Sequence, residues 1–152
     1  MKKTTVYDCS IIKLDQHHSD RKGDICVVEN GVTSIGENAF YGCNRLTSVS
    51  LPDTLYAINS NAFYGCSHLT DIQIPEGTES LSGSAFRNCN ALRTLQFPAS
   101  LTNCENVSYL YACNGLENFV VDADNPSYAS VDGILYNKKK SSLLVVPSAW
   151  NQ

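Results

Sequence analysis

The chain has 152 residues, 43% of them hydrophobic and 17% charged, which suits one globular domain of ordinary size with a core of its own. Its net charge of −4 gives no reason to expect nucleic acid as a partner, and the longest basic run, Lys138-Lys139-Lys140, reads as a solvated turn. Apolar runs such as residues 143–146 are far too short to span a bilayer, so membrane insertion is not expected either.

Residues 1–24 stand apart from the rest of the chain. The charged start Met1-Lys2-Lys3 has no hydrophobic stretch behind it, so a secretory signal is not expected, and as it stands the chain is expected in the cytoplasm. Val6, Ile11, Ile12 and Leu14 predict a strand with a turn partner, followed by a polar loop that holds His17, His18, Asp20, Arg21 and Gly23. The phrases at residues 6–14, 18–23 and 27–30 resemble the opening of cupin-type nucleotide-sugar ketoisomerases. The glycine- and histidine-rich stretch that builds the active site in that family has no counterpart beyond Gly31. No catalytic residue is therefore carried over, and residues 1–24 are expected to act as a cap.

A repeat governs the chain from Ile25 onward. The clearest unit runs Ile35-Gly36, Ala39-Phe40-Tyr41-Gly42-Cys43, Leu46, Val49, Leu51-Pro52 and Leu55. It returns as Ile58, Ala62-Phe63-Tyr64-Gly65-Cys66, Leu69, Ile72, Ile74-Pro75, and again as Leu81, Ala85-Phe86, Cys89, Leu92, Leu95, Phe97-Pro98. Cys43, Cys66 and Cys89 are 23 residues apart and Cys113 comes after 24. Such a period, with apolar positions spaced as in Leu46-x-x-Val49-x-Leu51, predicts a leucine-rich-repeat solenoid of the α/β kind. Parallel strands are predicted at residues 25–28, 48–51, 71–74, 94–97 and 118–121 on one face, with Ala-Phe pairs on short helical turns on the other. Pro52, Pro75 and Pro98 lack an amide hydrogen and should end each strand at the corner. No unit can bury enough apolar surface by itself, so stability is expected to belong to the stack.

The cysteines occupy one slot of successive units. Cys43, Cys66, Cys89 and Cys113 are expected as a column of reduced, buried side chains, because parallel Cα–Cβ directions oppose disulfide geometry. The slot after each cysteine holds Asn44, Ser67, Asn90 or Asn114, expected to hydrogen-bond exposed backbone at a turn. The organisation expected is a segment 1–24, repeats over 25–122, and the array's end over 123–152.

The run Ile-Gly-x-x-Ala-Phe-x-x-Cys-x-x-Leu-x-x-Val-x-Leu-Pro resembles the BspA-type leucine-rich repeats of bacterial surface proteins. Residues 125–138, followed by Leu143-Leu144-Val145-Val146-Pro147, look like the hairpin insertion common in that family, so the resemblance spans residues 25–147 and implies a C-terminal hairpin within 123–152. The resemblance implies a right-handed solenoid, a place at the cell surface or in the secreted fraction, and a role in adhesion or protein binding. The fourth unit departs from it, with Tyr109-Leu110 for Ala-Phe and Asp122 for proline.

Catalysis is not expected. His17, His18 and His68 have no nucleophile and carboxylate at a useful spacing, and neither a phosphate-cradling glycine loop nor a metal motif occurs, so no cofactor is implied. Alternation places Ser48, Ser50, Asp71, Gln73, Thr94, Gln96, Asn118 and Val120 outward on the strand face, a small polar surface that could meet a protein partner. The turns offer a stripe of Tyr41, Tyr64, Arg87 and Tyr111, which either covers the adjacent core or contacts a ligand. A competing role is structural, as an assembly module or a piece of a larger multi-repeat protein. The last unit stops after Pro147, which is expected to leave an uncapped C-terminal end. Either Trp150 folds back over it or a second copy pairs with it; the fold-back is expected, since a tryptophan covers a large area at low entropic cost.

Overall fold

Each unit lays down the same stretches in the same order, and the hydrogen bonds that hold them run between units. The computed structural model describes residues 24–151; the strand expected at 6–14, the histidine-bearing loop and the capping segment up to residue 23 lie outside the described residues. In chain order come β1 (Asp24–Val27), β2 (Ser34–Ile35), β3 (Leu46–Ser50), β4 (Ala57–Ile58), β5 (Asp71–Ile72), β6 (Ser80–Ser82), β7 (Thr94–Phe97), β8 (Asn103–Glu105) and β9 (Asn118–Val121).

The odd-numbered strands are those the repeat predicts. They pair in parallel as β1-β3-β5 and β7-β9, with Cys26 beside Val49, Val49 beside Ile72 and Leu95 beside Phe119. Alternation buries Leu95 and Phe97 and leaves Gln96 in solvent. The even-numbered strands form a second parallel ladder, β2-β4-β6-β8, which stacks Ile35, Ile58, Leu81 and Cys104 in register. This ladder is continuous where the first is interrupted between β5 and β7. At the corners Leu55, Thr78 and Leu101 donate their amides to Pro52, Pro75 and Pro98, and Asn125 repeats the turn on Asp122.

The arcs that close each unit are not helical except in the fourth, where residues Val107–Ala112 form a 3-10 helix. Two left-handed positions break each of the first two arcs: Asn38 and Asn61 (φ 58° and 54°), then Gly42 and Gly65 (φ 71° and 73°). In the third arc Asn88 (φ 60°) takes the glycine's place, asparagine being among the few other residues that tolerate this region. With helix excluded, the arc amides turn sideways. Phe40 donates to Ala62 O at 2.7 Å, Phe63 to Ala85 O at 2.8 Å and Asn88 to Ala112 O at 2.8 Å. The phenylalanines stack inside, with centroids 4.9 Å apart for Phe40 and Phe63 and 5.4 Å for Phe63 and Phe86. Leu110 fills the equivalent slot of the fourth unit.

Beside the rings runs the cysteine column. Cys66 and Cys89 donate their thiols to the carbonyls of Phe40 and Phe63, each at 3.1 Å. Cys26, Cys66, Cys89, Cys104 and Cys113 are free and buried. Cys43 departs from the expectation of reduced thiols, because it is disulfide-bonded. Burial pushes the Cys66, Cys104 and Cys113 thiols up to about 12, and Cys89 further in the same direction.

Beyond β9 the chain folds back over the last unit as a three-stranded antiparallel sheet. Strands β10 (Tyr128–Val131) and β11 (Ile134–Asn137) form an antiparallel hairpin, joined by β12 (Leu143–Val145) on the far side of β11. Asp132 and Gly133 both take positive φ, 51° and 79°, the pairing that suits a tight two-residue hairpin turn. The hairpin lies on β9, where Phe119 donates to Gly133 O at 2.8 Å and Val121 to Ser130 Oγ at 3.1 Å. Trp150 does fold back, but onto the hairpin turn, donating its indole N–H to Asp132 O at 2.8 Å. Tyr128 meets Phe97 edge-on at 5.4 Å and accepts the amide of Cys104, finishing the second ladder.

The joint between repeats and hairpin is Asn125, which is fully buried. Its Nδ2 donates to Pro98 O and Leu101 O at 2.8 Å each, while its Oδ1 accepts from the amides of Ser127 and Tyr128 at 2.9 and 2.8 Å. Asn125→Ala should therefore cost about 3 kcal/mol, because several buried polar groups lose their partner at once. Urea unfolding followed through Trp150, the single tryptophan, measures this; an unchanged midpoint would contradict it.

The buried thiols predict a pH dependence. Between the ordinary thiol value of 9.0 and about 12 the native state holds protons that the unfolded chain releases, so stability should fall as pH rises through that window. Below it these thiols contribute no slope. Urea midpoints across the window should decline less steeply once Cys66 and Cys113 are replaced by alanine; an equal decline would show that the thiols are not its source.

Candidate binding surfaces

Stacking creates two surfaces, one on the odd-numbered strands and one on the arcs. On the strand face Ser50, Asp71, Gln73 and Gln96 are exposed, while Ser48, Thr94 and Asn118 are half-buried. Register sets Ser48 beside Asp71 and Thr94 beside Asn118, whose Nδ2 donates to Thr94 Oγ1 at 3.1 Å. The face carries neither an aromatic ring nor an arginine. Its margins are apolar: Ile25 and Val27 pair with Ser48 and Ser50 at one end, and Val120 pairs with Gln96 at the other. All three are exposed, and counting back 23 residues from Ser48 and Ser50 would have found the first two.

On the arcs, Tyr41 and Tyr64 stack with centroids 4.8 Å apart and planes within 2°. The Arg87 guanidinium carbon lies 5.8 Å from the Tyr64 ring centroid, and 5.8 Å from that of Tyr109 on its other side. The ring of the fourth unit that lies against the guanidinium is that of Tyr109, not of the expected Tyr111. One extra residue in that unit and its 3-10 turn bring Tyr109 back against the guanidinium instead, while Tyr111 points into solvent and its carbonyl accepts the Ser148 hydroxyl. The stripe is therefore Tyr41, Tyr64, Arg87 and Tyr109, with Tyr41 56% and Tyr109 46% exposed.

The residues after the cysteines behave differently from expectation. Asn114 Nδ2 donates to Asn90 Oδ1 at 3.2 Å, and Ser67 pairs with its neighbour His68. The turn carbonyls are met by longer side chains: His68 reaches Asn44 O at 2.6 Å, and Arg93 reaches Gly115 O at 2.9 Å. Among the described residues no group of three or more His, Cys, Asp or Glu side chains could hold a metal ion, and no helix is long and apolar enough to cross a membrane. A shallow cleft of about 380 Å³ lies where the hairpin meets β9, lined by Glu117, Phe119, Asp132 and Trp150.

Residues 22–130 match the family described as BspA type Leucine rich repeat region (6 copies). Among solved structures, the pneumococcal vaccine antigen PcpA is similar with a TM-score of 0.70 at 23% identity, over 84% of this chain and 38% of that one. A leucine-rich repeat protein from Eubacterium ventriosum is similar with a TM-score of 0.64 at 24% identity, over 84% of this chain and 40% of that one. One from Bacteroides capillosus gives 0.61 at 29% identity, over 78% of this chain and 85% of that one. This chain spans about two fifths of the length of the first two. No curated protein matches it, and its ketoisomerase-like opening finds no support in these comparisons. With the family match running over most of the repeat, and the stacked phenylalanines, cysteines and corner prolines in the places it requires, the chain belongs to the BspA-type leucine-rich-repeat family.

Proposed function

We propose that this chain is a non-catalytic protein-recognition module of adhesion type, which meets its partner through the arcs. The observation that carries this reading is the ordered row Tyr41, Tyr64, Arg87, Tyr109, held in line by ring contacts, with its two outer rings exposed and Tyr64 and Arg87 half-buried between them. Tyrosine and arginine dominate binding energy at protein interfaces, whereas small polar side chains such as those of the strand face contribute little. A non-catalytic role agrees with the free thiols, whose burial raises them away from the reactive thiolate. A place at the cell surface is supported by the family resemblance and by a neighbour that is a vaccine antigen.

One feature favours the alternative of an assembly module. Strand β12 pairs on one side with β11, and Leu143 beside it is 55% exposed, an arrangement that can recruit a second copy. Light scattering after size exclusion separates the two readings, since a persistent oligomer would favour assembly and a monomer recognition.

The stripe makes a sharper prediction on an array of extracellular-matrix and cell-surface proteins. The double variant Tyr41→Ala, Tyr64→Ala should lose at least about tenfold in affinity for the proteins the wild-type chain retains, as expected when two anchor rings are removed. Loss confined to Gln73→Arg, Gln96→Arg would move the contact to the strand face and contradict the stripe. Retention of no protein at all would contradict the recognition role.

A further inference from the structure

Arg87 is held differently from Arg45 and Arg93, the other arginines among the described residues. Arg45 pairs with Asp24 at 3.7 Å and Arg93 with Glu117 at 3.5 Å, but Arg87 has no ion pair, and its guanidinium donates to no protein acceptor among the described residues. Tyr64 and Tyr109 hold it from both sides, so its conformation is set before any ligand arrives. A guanidinium ordered in this way, with its planar fork of donors unspent, suits a carboxylate, which it can engage through two parallel hydrogen bonds. Pre-organisation also reduces the side-chain entropy lost on binding.

Resting on the recognition reading above, the geometry points to Arg87 as the anion-reading position of the stripe, taking one carboxylate from an extended segment of a protein partner. The chain's own charge of −4 opposes a polyanion, so a lone acidic group among apolar neighbours fits better than a run of them. Beside Arg87 the inner ring argues for peptide over sugar. A sugar packs against a free aromatic face, yet both faces of Tyr64 are taken, by Tyr41 on one side and Arg87 on the other. What the inner ring offers outward is its edge and hydroxyl, suited to side chains that meet rings edge-on. Spacing agrees as well. The groups of the stripe follow one another at 4.8, 5.8 and 5.8 Å, so Tyr41 to Tyr109 spans roughly 16 Å, the reach of about five residues of extended chain at roughly 3.3 Å each.

The test uses the full chain on an array of random nonapeptides, printed in matched pairs that differ only by glutamate or glutamine at one position, beside an array of sialylated oligosaccharides. Wild-type protein should prefer the glutamate member of its retained pairs by at least tenfold. Arg87→Gln should erase that preference, Arg87→Lys should restore only a small part of it because the fork is gone, and Arg45→Gln should leave it intact. Thermal unfolding of each variant checks that it remains folded. Equal retention of both members, a preference that survives Arg87→Gln, or a stronger preference for the sialylated sugars would overturn the assignment. If wild type and Arg87→Gln hold the same peptides while Tyr41→Ala, Tyr64→Ala loses them, the stripe stands and only the role of Arg87 falls.

Discussion

The structure depends on one constraint: each unit must offer the next a backbone and an apolar face in register. Phe40 illustrates it, since its amide bonds to the following unit while its ring lies 4.9 Å from Phe63. Strand, second strand and arc are all spaced by the same hydrogen-bond repeat of about 4.8 Å, so a change of length in one part must be taken up within it if the others are to stay in register. The fourth unit shows what happens when length does change. Its extra residue is absorbed in the arc, which tightens into a 3-10 helix, and β9 still pairs with β7 in register.

The same constraint makes side chains into columns, and a column has properties that no single residue has. Thiols buried one above another donate to carbonyls that already serve the arc turns. Tyrosines on the outside of the arcs are brought face to face and lock an arginine between them. On the strand face the same stacking yields a ribbon of serine, threonine, glutamine, asparagine and aspartate with exposed Ile25, Val27 and Val120 at its margins. The large aromatic side chains that the repeat sets in one outward column are those of the arcs.

Much of this was legible in the sequence because the spacing of the cysteines and prolines sets the register directly. The odd-numbered strands and the phenylalanine plugs derive from it, while the hairpin was implied by the family resemblance. The second ladder was not legible, because strands as short as Ser34–Ile35 and Ala57–Ile58 carry no alternation to recognise. The arcs were misread as helical although the signal was present. Asn38 and Asn61, and Gly42, Gly65 and Asn88, recur at equivalent positions, and residues of these types repeated in one slot mark left-handed backbone rather than helix. Tyr111 was expected where Tyr109 stands because the 24-residue step between Cys89 and Cys113 places a residue, but cannot say how the longer arc will coil. The strand on which the hairpin lies was not legible either, since the resemblance implies a hairpin but not its seat.

The account's central claim is that units are joined by hydrogen bonds between arcs as firmly as by those between strands. Native-state amide hydrogen exchange in low denaturant tests this most directly. The amides of Phe63 and Gly65, which donate to Ala85 and Arg87, should exchange only through the large opening that also frees the strand amides of Val49 and Leu81, with the same denaturant dependence. Exchange of Phe63 and Gly65 at the rates of exposed loops, while Val49 and Leu81 stay protected, would contradict it.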